Sequence, residues 1–130
     1  MDWYSRYIVD WQLDQSLEIG FVLDTMKRSL EKSKPEIINS DQGSHFTSPQ
    51  YTDLLKEHEV RISMDGKGRA TDNIVIERFW RSLKYNEVYI HDYKSPRETR
   101  HGVERYIHLH NHYLPHQSLQ YQTPAVLYQR

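Results

Sequence analysis

The first half of the chain shows the periodicities of a strand, a helix and a second strand. Residues 6–13 alternate with period two, which is typical of a half-buried β-strand; the apolar positions are Tyr7, Val9, Trp11 and Leu13. Apolar residues then return every three or four positions and predict an amphipathic helix over about 16–32; they are Ile19, Val22, Leu23, Met26 and Leu30. After Pro35, the short apolar run Glu36–Ser40 predicts a buried strand.

The middle of the chain repeats this order of helix and strand. Ser48 and Pro49 form a favourable helix start, with an N-cap hydroxyl before a proline at the first helical position, and the helix is predicted to end near Glu59. Alternation over residues 60–64 predicts another strand. The segment from Asp65 to Arg69 has two glycines among polar residues and is predicted to be a mobile loop.

Two further helices are predicted in the last part of the chain. Thr71 or Asp72 is a suitable cap for the first of them, whose apolar face contains Ile76, Phe79, Trp80 and Leu83. Ser95-Pro96 followed by Glu98 resembles a capping box and predicts a helix that reaches about Tyr113. The tail from Pro115 to Arg130 is predicted to be a packed irregular arm. Strands alternating with helices indicate an α/β domain.

Composition limits the class of protein without identifying it. The 130 residues include no cysteine, which excludes disulfides and thiolate zinc sites. The sequence also lacks the apolar run of about 18 residues that would predict a membrane span. The net charge is only -1, but the segment from Arg61 to Lys84 contains six basic residues and three acidic ones. This local excess suits phosphate contacts; the alternative is an ordinary solvated surface of mixed charge.

Two carboxylates lie at positions that suit a metal site. Asp41 follows the predicted strand Glu36–Ser40, and ligands of open α/β sheets bind at the C-terminal ends of strands. Glu77 lies on a predicted helix, on one polar stripe with Asn73, Arg81 and Lys84. Carboxylates on separate elements can share a hard cation such as Mg²⁺. The simpler interpretations are a turn residue for Asp41 and, for Glu77 and Arg81, a surface ion pair contributing about 0.2–0.5 kcal/mol.

Motifs along the whole chain carry a family resemblance. The segment 40–48, SDQGSHFTS, resembles the SDQGSxFTS motif of insertion-sequence transposases with a retroviral-integrase-like catalytic core. Thirty-five residues separate Asp41 from Glu77, which is the spacing of the D-x35-E signature. Residues 63–73 resemble that family's catalytic loop, and ERFWRSLK at 77–84 resembles its ERFFRSLK helix.

The tail also resembles the family, with departures. Its YNxxRPHxxLxxxTP ending is matched at Asn111, Pro115, His116, Leu119, Thr123 and Pro124. Leu114 stands where the family usually has arginine, His110 where it often has tyrosine, and Asp10 where glycine is common.

The resemblance implies a ribonuclease-H-like integrase core of the α/β class. That fold is a mixed five-stranded sheet in the order 3-2-1-4-5 with helices on its faces. The chain is expected to be N-terminally truncated, holding strands three to five without the first two, with a C-terminal helix and irregular tail. Residues 1–92 are expected to form a partial catalytic core, and residues 93–130 the helix and tail of the same core.

The function implied by the resemblance is that of a transposase, with metal-dependent DNA strand cleavage and transfer. Asp41 and Glu77 would be catalytic metal ligands for Mg²⁺ or Mn²⁺, in a two-ion site that is incomplete in this chain. The implied DNA-binding residues are Lys67, Arg69, Asn73, Arg81 and Lys84. The implied partners are transposon ends and target DNA, with a homo-oligomer in the DNA complex, no membrane, and a location in the bacterial cytoplasm at the nucleoid.

The first catalytic aspartate of the family lies in a DITY-like strand before its DxYSR motif. In this chain that motif is Asp2–Arg6, so Asp2 is expected to bond local amides at a turn and not to bind metal. The chain alone is therefore expected to be inactive.

Two alternatives to an enzyme part remain open at the level of sequence. One is a catalytically dead DNA-binding or oligomerisation remnant of a transposase. The other is a histidine metal site. His108 and His112 share a helical face, but His110 points about 200° away from each of them, and no clear third ligand accompanies the pair.

Overall fold

The computed structural model describes residues 1–13, 19–40, 44–64 and 74–129. The helices are α1 (Ile19–Lys32), α2 (Ser44–Thr47), α3 (Pro49–Glu57), α4 (Ile74–Leu83), α5 (Pro96–His112) and α6 (Pro124–Tyr128), and the strands are β1 (Ile37–Ser40) and β2 (Arg61–Met64). The chain divides into two compact units: a contiguous unit, Asp10–Ile74, and a split unit, Met1–Val9 with Val75–Arg130. None of the helices in the described ranges has the length and apolar character needed to cross a membrane.

The contiguous unit buries the apolar face predicted for its first helix. Leu30 of α1 is buried together with Tyr51, Leu54, Leu55 and Val60, and the partly buried Val22, Leu23 and Met26 pack against this cluster. The predicted helix is thus confirmed from residue 19 onward, and residues 14–18 lie outside the described ranges. Helical spacing was sufficient to predict this element because burial follows one continuous face.

The helix α3 begins as its sequence predicts. The Ser48 side chain accepts a hydrogen bond from the Tyr51 amide at 3.4 Å, and Pro49 occupies the first turn, where no amide hydrogen is needed. The short helix α2 before it was not predicted. The hydroxyl of Ser48 also donates to the carbonyl of His45 at 2.8 Å, which joins α2 to the start of α3.

The two strands form a small parallel sheet. The register pairs Ile37 with Arg61 and Ser40 with Met64, so both predicted strands are present. The prediction that the first strand is buried is wrong, because Ile37 is 50% exposed and only Ser40 is buried. Adjacent parallel strands are what the implied order 3-2-1-4-5 requires of strands four and five. The connection between them contains α2 and α3, because parallel neighbours need a crossover.

The strand predicted over residues 6–13 is wrong, since the structure assigns no strand to this segment. Ile8 is the buried residue of this segment, at 6% exposure. It alternates with the odd-numbered residues that were predicted to form the apolar face, so the prediction also chose the wrong face. Its backbone bonds to a side chain: the amide of Ile8 donates to Asn111 Oδ1 at 2.9 Å, and Asn111 Nδ2 donates to the carbonyl of Ile8 at 3.1 Å. The third strand of the implied sheet is therefore not present in the described residues.

The turn predicted at Asp2 is confirmed. Asp2 Oδ2 accepts a hydrogen bond from the Ser5 amide at 2.9 Å, and the Asp2 amide donates to the carbonyl of Tyr7 at 2.9 Å. The carboxylate is thus committed to its own turn, as expected for a short acidic side chain next to free amides.

In the split unit, α4 buries a narrower face than predicted. Phe79 and Leu83 are buried, whereas Trp80 is 45% exposed. The helix continues into a π-helix, Lys84–Val88, in which the amide of Tyr89 donates to the carbonyl of Lys84 at 2.8 Å. This extension was not predicted. The predicted caps Thr71 and Asp72 lie outside the described residues.

The long helix α5 confirms the predicted capping signal at Ser95. The Glu98 amide donates to Ser95 Oγ at 3.2 Å, and Glu98 Oε2 accepts from the Lys94 amide at 2.7 Å. The reciprocal bond thus reaches one residue further back than in a standard capping box. The helix ends at His112, next to the predicted boundary.

The prediction of an irregular tail is wrong in part. A 3-10 helix, Gln117–Leu119, precedes α6. The residues on either side of it are joined by a hydrogen bond, in which the amide of His116 donates to the carbonyl of Gln122 at 3.2 Å. Leu119 and Pro124, two of the matched motif positions, are buried. Part of the tail motif therefore serves packing.

Candidate functional site

The parallel sheet brings the C-terminal ends of β1 and β2 to one edge. Ser40 and Met64 are the last residues of β1 and β2, and they are paired in register. One residue earlier, Ser63 Oγ donates to Asn39 Oδ1 at 2.8 Å and joins the strands through their side chains. Asp41 and the segment beginning at Asp65 therefore follow the same C-terminal edge, which is where α/β sheets bind ligands.

Several predicted site residues fall outside the described part of the chain. Asp41 is one of them. The same holds for Lys67, Arg69 and Asn73, and for the predicted mobile loop in which the first two lie.

Glu77 is exposed in the first turn of α4. A negative side chain is favourable there because the amides at a helix N-terminus carry partial positive charge. The surface ion pair offered as an alternative does not form: none of the ion pairs among the described residues includes Glu77. Arg81 instead lies over the ring of Tyr85, with its guanidinium carbon 5.8 Å from the ring centroid.

The exposed surface that follows Glu77 is basic. Arg78, Arg81 and Lys84 are all exposed. The next carboxylate along the chain, Glu87, is only 5% exposed, and its Oε1 accepts a hydrogen bond from Arg105 Nη2 at 2.9 Å. That carboxylate therefore does not offset the three surface cations.

The ion network at Glu87 was missed by sequence reasoning. Besides Arg105, His91 Nδ1 lies 2.9 Å from Glu87 Oε2. One signal was present: Phe79, Leu83 and Glu87 recur at intervals of four, so Glu87 continues a buried helical face. A carboxylate in such a position needs a cationic partner.

A cleft of about 490 Å³ opens beside this network. Glu87 and Arg105 line one part of it, and Tyr106, Leu109 and Leu114 contribute apolar surface. Leu114 is the position where the resembling family usually has arginine.

The histidines of α5 have separate roles. The rings of His108 and His112 are 4.7 Å apart, as predicted for one helical face. His110 Nε2 donates to the carbonyl of Arg6 at 2.8 Å, and burial lowers the pKa of His110, with the Arg6 carbonyl opposing that shift. No group of three or more histidines and carboxylates suited to a metal occurs within the described ranges. The histidine metal site is thus unsupported there.

Comparison with known proteins covers both parts of the chain. Two family models, each described as an integrase core domain, match residues 1–70 and 58–124. The putative transposase InsK for insertion sequence element IS150 of Escherichia coli (strain K12) is 27% identical over 114 residues, or 85% of this chain and 40% of its own length.

Two other relatives have similar names. The transposase for insertion sequence element IS904 of Lactococcus lactis subsp. lactis (strain IL1403) is 29% identical over 128 residues, 95% of this chain and 51% of its own. The transposase InsF for insertion sequence IS3A of Escherichia coli (strain K12) is 29% identical over 110 residues, 82% of this chain and 38% of its own. The chain thus spans about half or less of the relatives it matches.

Proposed function

Because the chain belongs to the integrase core domain family, we propose that it forms part of the catalytic core of an insertion-sequence transposase. The reaction would be metal-dependent cleavage and transfer of DNA strands. What carries the proposal is that the family matches together cover residues 1–124. The names of the relatives and the D-x35-E spacing of Asp41 and Glu77 support it.

In this proposal Asp41 and Glu77 are the metal ligands. Asp41 directly follows β1, at the edge where strands of α/β folds present ligands. Glu77 is exposed and free of ion pairs with other described residues, so its oxygens are available. Two carboxylates suit Mg²⁺ or Mn²⁺, which prefer oxygen ligands. The bound ion would activate the attacking oxygen and stabilise the leaving oxygen of a phosphodiester.

The proposed partner is DNA, held by basic side chains around Glu77. Arg81 and Lys84 are exposed, four and seven residues after Glu77 on the same helical stretch, which suits them to phosphates. We assign the same role to Lys67, Arg69 and Asn73 from the resemblance alone. Assembly into a homo-oligomer on transposon ends, and an association with the nucleoid, belong to the same proposal.

Glu77→Gln is expected to weaken binding of Mn²⁺ to the 130-residue chain at least tenfold, since loss even of a group that only orients a metal ligand costs 10–100-fold. The free ion would be followed by electron paramagnetic resonance during titration. Glu104→Gln is the matched control because Glu104 is exposed on α5 and has no proposed role. Equal affinities of the two variants would contradict the assignment of Glu77.

The alternative function is that of a catalytically dead remnant, which binds DNA or oligomerises without cleaving DNA. Residues 1–130 include two of the three carboxylates implied by the resemblance, so we expect these residues alone to leave DNA uncleaved in Mg²⁺ or Mn²⁺. The assay is strand transfer on a labelled duplex. Robust transfer, lost in Glu77→Gln, would contradict both the remnant and the ligand count. If the unmodified chain bound neither Mn²⁺ nor DNA, the transposase proposal itself would be overturned.

A further inference from the structure

We propose that an exposed stripe on the helical segment after Glu77 stacks unpaired DNA bases. The stripe consists of Arg81, Tyr85 and Tyr89, which follow one another at four-residue intervals. This inference rests on the proposed function, because it names single-stranded DNA at the flank of the duplex-binding surface as the specific ligand.

The rings of the stripe are presented to solvent. Tyr85 is 59% exposed and Tyr89 is 65% exposed. Their ring centroids are 5.4 Å apart with an interplanar angle of 87°, so each ring supports the other edge-to-face. Arg81 lies 5.8 Å from the Tyr85 centroid and holds that side chain by a cation–π contact. The tyrosines are therefore placed by neighbours while surface remains open for a ligand.

The backbone beneath the stripe has an uncommon geometry. The π-helix Lys84–Val88 contains Tyr85, and its i-to-i+5 bond ends at the amide of Tyr89. The π-helix ends the helical segment, because Tyr89 and Ile90 form a turn directly after it. Both tyrosines thus depend on this local distortion for their position.

The charge around the stripe favours a polyanion over an apolar protein surface. Arg78, Arg81 and Lys84 are exposed, while Glu87 is buried against Arg105. Cations that track a phosphate backbone, together with aromatic rings that accept bases, are the two elements by which proteins bind single strands. Bases inside a duplex are already stacked on both faces, so the rings can gain a partner only where bases are unpaired.

The test compares two DNA probes with the 130-residue chain. One is a blunt duplex and the other is the same duplex with a short single-stranded overhang carrying 2-aminopurine, whose fluorescence falls on stacking. We expect tighter binding of the overhang probe and quenching of its signal. In the double variant Tyr85→Leu/Tyr89→Leu, affinity for the overhang probe should fall about tenfold and quenching should disappear, with blunt-duplex affinity unchanged.

Two controls separate stacking from other effects. Tyr85→Phe/Tyr89→Phe keeps the rings and should retain the preference for the overhang. Lys84→Ala should weaken both probes alike and reduce the salt slope of binding by about one. Circular dichroism would verify that the variants keep their helical content. If the leucine variant were unfolded, quenching by the unmodified chain and its retention in the phenylalanine variant would still decide the matter.

The outcomes distinguish this inference from the proposed function. Equal affinity of the unmodified chain for both probes, without quenching, would overturn the stacking role and leave duplex binding intact. No binding of either probe would overturn both. A change of oligomeric state in the leucine variant, seen by analytical ultracentrifugation with DNA binding unaltered, would show that the stripe contacts a second copy of the chain.

Discussion

Asn111→Ala is expected to lower the free energy of unfolding of the split unit by about 2–6 kcal/mol, because two buried backbone groups lose their partners at about 1–3 kcal/mol each. The groups are the amide and the carbonyl of Ile8, both bonded to the Asn111 side chain. Alanine offers neither a donor nor an acceptor, and Ile8 is too buried for water to replace them.

The same variant should show where the loss occurs. In hydrogen exchange, the amide of Ile8 is expected to lose protection in Asn111→Ala, since its acceptor is removed. Chemical denaturation gives the change in stability. Glu104→Ala, an exposed change on the same helix, should alter the free energy of unfolding by less than about 0.5 kcal/mol. An Ile8 amide that stays protected would contradict the anchoring role of Asn111.

Leu55→Ala is the second change with a large expected effect, about 2–5 kcal/mol of lost stability. Leu55 is 0% exposed at the centre of the cluster formed with Leu30, Tyr51, Leu54 and Val60. The loss combines the smaller apolar surface that is buried with a cavity that neighbouring side chains fill only in part. Urea denaturation followed by circular dichroism measures it.

Leu55→Met provides the matched control. Because methionine keeps nearly the same volume, the cost should stay below about 1.5 kcal/mol. Leu109→Ala should cost less than Leu55→Ala, since Leu109 is 40% exposed and leaves no enclosed cavity. A cost for Leu55→Ala no larger than that for Leu55→Met would mean that the described core does not stabilise the contiguous unit.

The elements that were predicted correctly are those whose signals are local. The start of α3 follows from Ser48 and Pro49, and the start of α5 from Ser95 and Glu98, because caps act within a few residues. The face of α1 and the alternation of β2 reflect burial on one side. In such patterns the residues that cause the structure lie within the same short segment as the structure itself.

The elements that were missed depend on distant or rare interactions. The period-two pattern over residues 6–13 indicates extended backbone but does not reveal what the backbone bonds to. The partner of Ile8 lies 103 positions away, on a side chain. The π-helix Lys84–Val88 has no established sequence signature, because the switch from i+4 to i+5 bonds follows from packing.

The candidate site was predicted mainly through resemblance. Spacing alone left Asp41 and Glu77 open to ordinary surface roles; the SDQGS and ERFW motifs gave them chemical meaning. The ion pair that changes the charge of the surface after Glu77 could not be predicted from motifs. Arg105 neutralises Glu87 from another helix, and only the folded chain brings them together.

The pairing of Ile8 with Asn111 also sets an order of events on the ribosome. Residues Met1–Val9 belong to a unit whose other part begins at Val75, so they leave the exit tunnel long before their partner helix is made. At about 5–20 residues per second, the delay of some 100 residues amounts to about 5–20 s. The contiguous segment Asp10–Ile74 is complete within that interval. Residues Met1–Val9 therefore cannot form their bonds to Asn111 until α5 has been translated.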